Sequence, residues 1–555
     1  MSRVVVADRA GGLERAGAES GFAPVVISAS FTPAMARSDR LWWLLAALMF
    51  GVLLMPLLAV PIPPLLDYPN HLARMFVLAH PDDPFLSKVY VRHWAIIPNL
   101  GIDLVMPWMA AVMPATVAGR LMLAVVLLMP VIGTLAYSRA VMGRRTWWSL
   151  GAGFAAYNIT FLMGFMSFQM GIGSALLAAS VWVRWSDRRP LTTAAITAVL
   201  AVLIFFIHLI GILFLGLLIA SHEAVAVWTI WRAGGALLSS VARRAAVAAA
   251  VFVVPFGLLL AAPLTHSDAP VLWGPLTDKL FELFGAFLNY TPLPAIGLAL
   301  VLGAVVVICL TRGWARVAPE AVLAATILLA LYPFAPKQQE NAFLDIRVPV
   351  MAGFLLFAAF APERLPRRVA GGIGAVLGAI LVLRVCLLTE TWIARYQDVT
   401  AFRAVIASVP PASRVLVTMT HPRSNPAWWH AMPEGRRALG MPTFMHLPGL
   451  LVVEHDSMWP LMFTDETSQP VSVRPAFKAL TLKEGLVPDY HLLGRDTPSE
   501  DELSGAPYMA NWPSKFDYVL VMGAGGASDL DRVRPDRLTL VARADIAAMF
   551  RINRP

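Results

Sequence analysis

Between Leu41 and Leu388 the chain repeats one pattern about eleven times: an apolar run near bilayer length, then a short loop. The runs are Leu41–Val60, Val117–Ser138, Trp147–Met163, Ser167–Arg184, Leu191–Ile207, Leu209–Trp231, Ala245–Pro263, Pro294–Leu310, Pro319–Ala335, Val348–Ala361 and Gly371–Leu388. Alternate loops carry arginine: Arg139, Arg144 and Arg145; Arg184, Arg188 and Arg189; Arg232, Arg243 and Arg244; Arg312 and Arg316; Arg364, Arg367 and Arg368. With Arg37 and Arg40 before the first run, they define one cytoplasmic face. The other loops hold acids, amides, histidines and every lysine. The expectation is a mostly α, polytopic helical bundle, N-terminus inside and C-terminus outside. Trp42/Trp43, Trp147/Trp148, Trp231 and Trp314 fit an aromatic belt. The run centres read as almost free of charge, and no internal repeat stands out.

At 58% hydrophobic and 14% charged, 555 residues cannot bury their apolar surface without lipid. The net charge of +9 is mostly arginine in short loops, which reads as membrane orientation and not as nucleic-acid binding. Cys309 and Cys386 fall inside apolar runs and read as buried free thiols. Residues 1–40 are polar and small, and are expected to be a disordered cytoplasmic tail. Leu41–Val60 is too long for a signal-peptide core and lacks an A-x-A site, so it is expected to persist as a helix.

Beyond residue 389 charge and proline rise, and residues 390–555 are expected to form a small extracytoplasmic α/β domain. An amphipathic helix is expected over Thr391–Ala407, with strands at Arg414–Met419, Gly449–Glu454, Tyr518–Met522 and Leu538–Val541. The stretch GAGGAS, Gly523–Ser528, follows a strand but lacks the Lys-Ser/Thr of a phosphate loop, and reads as a turn. In NPAWWHAMPEG, Trp428, Trp429 and His430 offer either sugar stacking or an interfacial aromatic pair.

The polar residues gather on the lysine side. In PPLLDYPNHLAR, Pro69 suits the first turn of a helix running to about Ala79. Asn70, His71 and Arg74 share one face, opposite Leu72, Met75, Phe76 and Ala79, as in a helix lying in the membrane interface. Asp67 precedes it. The next segment, with Arg92, His93 and Asp103, is too broken by Pro98 and Pro107 to span, so residues 61–116 read as one long outer loop. Asn158 and Gln169 flank GFMSFQMG, and His208 sits at the turn of FFIHLIG. The loops Thr265–Asn289 and PKQQENAFLDIR add His266, Asp268, Asp278, Lys279, Glu282, Lys337, Glu340, Asp345 and Arg347. Such groups are costly against lipid and cheap around a wet cavity, which points to a cavity open to the outside.

A long first outer loop with an acid soon after the first helix, interfacial helices and a trailing outer domain resemble the C-type glycosyltransferase superfamily. The phrases LLDYPNHLAR, PNLGIDL and HLPGLLVVEHDS are similar to a poorly characterised bacterial branch with this layout. The Asp-Glu pair of protein mannosyltransferases is Asp67-Tyr68 here, and the Trp-Trp-Asp of oligosaccharyltransferases is absent. The resemblance implies a bacterial inner-membrane enzyme that moves a sugar from a polyprenyl-phosphate donor to a glycan, lipid or protein acceptor outside the cytoplasm.

Such chemistry needs a carboxylate to take the acceptor proton and cations for the departing phosphate. Asp67 is the first candidate base, and it equally fits a helix cap. Asp103 is the second. Arg74, Arg347, Lys337, His71 and His208 are candidates for the donor phosphate or sugar, and Glu340 for sugar hydroxyls. No motif calls for a cofactor; Asp67, Asp103, His266, Asp268 and Glu340 offer donor atoms for a divalent metal, but without a recognised spacing. Two rival readings stand: a transporter or flippase for a lipid or sugar, and a non-catalytic scaffold that binds envelope glycan.

Overall fold

The computed structural model describes residues 33–234, 237–263, 271–339, 342–420, 437–438, 441–483, 485–495, 498–526 and 530–554. His266, Asp268, Glu340, Trp428, Trp429 and His430, and the end of GAGGAS, lie outside them. The chain divides into two compact units, 1–45 and 46–555. In the first, Trp42 and Trp43 meet edge to face, 5.0 Å between ring centres.

Among the described residues, seven helices are long and apolar enough to cross a membrane: Asp39–Ala59, Ala115–Met142, Met166–Trp185, Pro190–Ile207, Leu209–Arg232, Pro292–Thr311 and Arg367–Ile406. An eighth forms if Leu238–Ala250 and Val253–Ala261, bent by 46° at their junction, count as one span. The chain therefore has the make-up of a multi-pass membrane protein. Leu58, Leu191, Leu213 and Leu300 stand exposed along these helices, as lipid-facing side chains do.

Three expected spans look different. Pro319–Phe334 and Arg347–Ala359 are helical but short. Trp147–Met163 is no continuous helix: a 3₁₀ segment, Trp148–Ala155, gives way to the single turn Ile159–Leu162. The break falls at Asn158, whose Oδ1 accepts from the Phe161 N–H and from Gln169 Nε2 (3.1 and 2.7 Å). An amide that caps a new turn is the choice of asparagine over helix continuation. Beyond the exposed Trp147 the segment is largely buried, so its apolar run reflects a protein core more than a lipid contact.

The bundle is tightest where Ala115–Met142 meets Met166–Trp185. A Cβ on Gly133 would lie 2.5 Å from the Gly173 carbonyl oxygen, so the two backbones touch only because both positions lack side chains. Pro130 sits in that first helix, and Thr134 Oγ1 donates to its carbonyl (2.8 Å). Cys309 is buried, whereas Cys386 is exposed on its helix, because a free thiol suits lipid as well as a core.

No break separates bundle from trailing module. Arg367–Ile406 is one helix of 40 residues, about 60 Å long at 1.5 Å per residue, twice a bilayer core. The expected amphipathic helix is its continuation. Beyond it lies a four-stranded sheet in the order Leu538–Arg543, Ala547–Ile552, Tyr518–Met522, Val415–Met419; the last two strands run parallel and the other pairs antiparallel. The expected strand Gly449–Glu454 is instead the helix Leu450–His455. Its apolar run LLVV is too short for periodicity to separate strand from helix.

The first loop and the trailing module are stitched together. Tyr90–Arg92 pairs antiparallel with Val471–Val473. The helix Tyr68–Ala79 is buried on both sides, with Asn70 and Arg74 as deeply covered as Leu72. It does not lie with a polar face open to water: its polar face receives the module.

Candidate functional site

The helix Tyr68–Ala79 starts where a loop from the bundle crosses it. Gly164 holds φ +87°, and a Cβ there would press within 3.0 Å of the backbone nitrogen and Cβ of Asp67. Asp67 N–H donates to the Met163 carbonyl (3.1 Å). Glycine is thus required twice over, by backbone angle and by contact. On the module side, Gly449 approaches in the same way: a Cβ would sit 2.5 Å from the Pro69 carbonyl oxygen. Asn70 clips the two together as a peptide group would, Nδ2 donating to the Leu461 carbonyl (2.9 Å) and Oδ1 accepting from the Phe463 N–H (3.0 Å).

This packing decides what Asp67 does. It occupies the N-cap position, yet its side chain makes no capping hydrogen bond. Oδ1 lies 3.1 Å from Nδ1 of His446, which is buried just before the 3₁₀ turn Leu447–Gly449. Phe463 stands edge-on to both His446 and His71, 5.3 Å from each. Burial holds His71 well below the usual imidazole range, with the Arg74 and His446 charges adding, while a hydrogen bond to the Gly164 backbone opposes them. His71 is therefore neutral at physiological pH.

Arg347 lies within electrostatic reach of Asp67. Its guanidinium stacks over Phe165 and Phe168, 4.9 and 5.3 Å from the ring centres, and Phe165 in turn stacks on Phe343. Nη1 is 3.1 Å from Nε2 of His208. His208 caps the helix Leu209–Arg232, its Nδ1 accepting from the Ile210 N–H (3.0 Å). A neutral imidazole has one donor and one acceptor. The Ile210 N–H and Arg347 Nη1 therefore compete for the single acceptor of this ring. Arg347 Nε, also buried, has no partner among the described residues. The corner is short of an acceptor, and an oxyanion would supply it.

The remaining expected site residues are placed otherwise. Arg74 and Asp103 form a buried two-pronged ion pair, Nε–Oδ1 2.8 Å and Nη2–Oδ2 3.0 Å, fully covered. Both carboxylate oxygens are engaged, so Asp103 is not a free base; Arg74 spends Nε and Nη2 on it, while its buried Nη1 has no hydrogen-bond partner among the described residues. Lys337 pairs with Asp278 and approaches Glu282 (3.9 Å), while Lys279 donates to the Ala335 carbonyl (2.6 Å) and meets Asp345 (3.3 Å). That network ties the loop 272–290 to the loop 332–346. Burial, together with the Asp345 carboxylate beside it, pushes Glu282 up to about 8, and its Oε2 has no hydrogen-bond partner among the described residues.

Sequence reasoning missed His446. The signal was present in HLPGLLVVEHDS, where His446 leads a Pro-Gly turn; nothing local said that the turn would meet Asp67, 379 positions away. It also missed charge inside the spans. Glu223 accepts from Trp182 Nε1 (2.8 Å) and Arg244 Nε (2.5 Å), Arg244 also reaches Asp187 (2.8 Å), and His222 lies 3.9 Å from Glu320.

Among the described residues no group of three or more His, Cys, Asp or Glu side chains converges as a metal would need. No family model matches the chain, and no curated protein does.

Proposed function

We propose that the protein is a membrane glycosyltransferase of the C type, moving a sugar from a polyprenyl phosphate to an acceptor hydroxyl on the Asp67 side, outside the cytoplasm. The single observation behind it is the pairing of a carboxylate that declines to cap its own helix with a guanidinium that lacks an acceptor.

In this reading the donor phosphate binds Arg347 and His208, which gives the crowded donors their missing oxygen. The acceptor oxygen forms its bond to the anomeric carbon as the carbon–oxygen bond to phosphate breaks, and that electron pair leaves on the phosphate. The hydroxyl proton goes to Asp67 and then to water. Direct displacement inverts the anomeric centre. A positioned base contributes about 10²–10⁴-fold, and charge-assisted bonds stabilise the leaving phosphate without a general acid. Arg74, Asp103 and Lys337 serve as structure.

The test is mass spectrometry of envelope glycans and lipid-linked sugars from cells carrying Asp67→Asn. One glycan modification should vanish while its lipid-linked donor accumulates. An unchanged profile overturns the reading.

The half-buried Glu223 and His222 within a span, and the buried Glu320 on the short helix Pro319–Phe334, favour a second reading, transport of a lipid or sugar. Uptake of a labelled solute that needs a proton gradient, survives Asp67→Asn and fails with Glu223→Gln would select it.

A further inference from the structure

We infer that the trailing module is part of the active site, and that His446 is the positioning residue that aims the base. The inference rests on the reading of Asp67 as that base.

A carboxylate at an N-cap ordinarily turns back to the free N–H groups of its own helix. Asp67 does not. Its Oδ1 lies 3.1 Å from Nδ1 of His446, at ion-pair distance though without the geometry of a hydrogen bond, and the two side chains are 16% and 6% exposed. With one oxygen set against that ring, Oδ2 is the oxygen left to accept a hydroxyl proton. The histidine is itself immobilised. Its ring is edge-on to Phe463 and 6.1 Å from Trp459, and the turn Leu447–Gly449 behind it rests on the Pro69 backbone. The Asn70 clip then fixes the segment carrying Phe463 to the helix carrying Asp67. Other charged or titratable groups facing this corner are His71, Arg74 and Arg347. The bundle alone thus contributes a carboxylate and a phosphate-binding corner, and the module contributes its aim.

Reacting groups misplaced by about 1 Å lose about 10²-fold in rate. The experiment uses membranes of the cells that make this protein, which contain the native acceptor. The probe is undecaprenyl phosphate carrying a radiolabelled hexose, and the signal is label transfer that Asp67→Asn abolishes. His446→Ala should lower kcat about 10²-fold, with the donor KM changed by less than about twofold and the thermal midpoint held. His446→Asn keeps an N–H near the place of Nδ1–H and should recover about tenfold or more of the loss. If His446→Ala retains the wild-type kcat, the inference falls and the base reading stands. If His446→Asn is as poor as His446→Ala and both lower the thermal midpoint, His446 is packing only and the inference falls. If the wild-type protein shows no Asp67-dependent transfer, the base reading fails and takes this inference with it.

Discussion

Two groups of charged side chains sit close together in this protein and differ in one respect. Asp345 and Arg347 are two positions apart, yet they belong to opposite kinds of site. Asp345 joins Asp278, Glu282, Lys279 and Lys337 in a network of three carboxyls and two ammonium groups, where one proton on Glu282 balances the charge. Arg74 and Asp103 neutralise each other through a two-pronged pair, although Arg74 Nη1 is left without a partner among the described residues. Arg347 faces a histidine whose single acceptor the Ile210 N–H also claims, and Asp67 faces a histidine from another part of the chain. Buried charges that satisfy one another hold loops in place; a buried donor left in excess is short of an acceptor, which the proposed donor phosphate would supply at Arg347.

The comparison can be broken at several points. The largest effect should come from the closed pairs. Asp103→Ala leaves the Arg74 guanidinium buried and alone, which should cost about 3–5 kcal/mol of stability in a detergent unfolding assay. A loss under about 1 kcal/mol would mean that water reaches the pair.

Next is Asp67→Asn, expected to reduce transfer by about 10²–10⁴-fold while stability moves by less than about 0.5 kcal/mol, since no cap bond is lost. A large drop in thermal midpoint would recast Asp67 as structural.

Arg347→Lys should then raise the donor KM about tenfold, because a point charge cannot replace a two-pronged contact. Lys337→Gln should leave the donor KM alone and lower stability instead. The same response from both variants would erase the distinction between the two groups.

The smallest effect concerns pH. Glu282 is raised to about 8 in the fold from a usual value of 4.5, so the folded chain holds this proton more tightly than the unfolded chain. Its contribution to stability is fully present below pH about 4.5 and is lost as pH rises through about 8. Glu282→Gln, which stays neutral, should flatten the fall of the thermal midpoint between those values.

How much of this was legible in the sequence depended on range. Seven of the expected runs appear as long helices, because twenty apolar residues have few other ways to satisfy their backbone. The helix after Pro69, the turn at His208 and three of the four trailing strands were also readable from local pattern. Gly449–Glu454 was misread because four apolar residues carry no usable period. Trp147–Met163 was misread because hydropathy does not distinguish a buried protein segment from one that meets lipid.

Taken alone, the sequence determined that this chain needs lipid, that its polar side chains gather in particular loops, and that Asp67 and Arg347 were worth naming. Only tertiary structure decided which charges neutralise each other. Arg74 and Lys337 looked as promising as Arg347 until packing gave the first two carboxylate partners and gave the third a competing donor. Local hydropathy is written in adjacent residues, whereas a partner 29, 139 or 379 positions away is chosen by how helices and module close on one another.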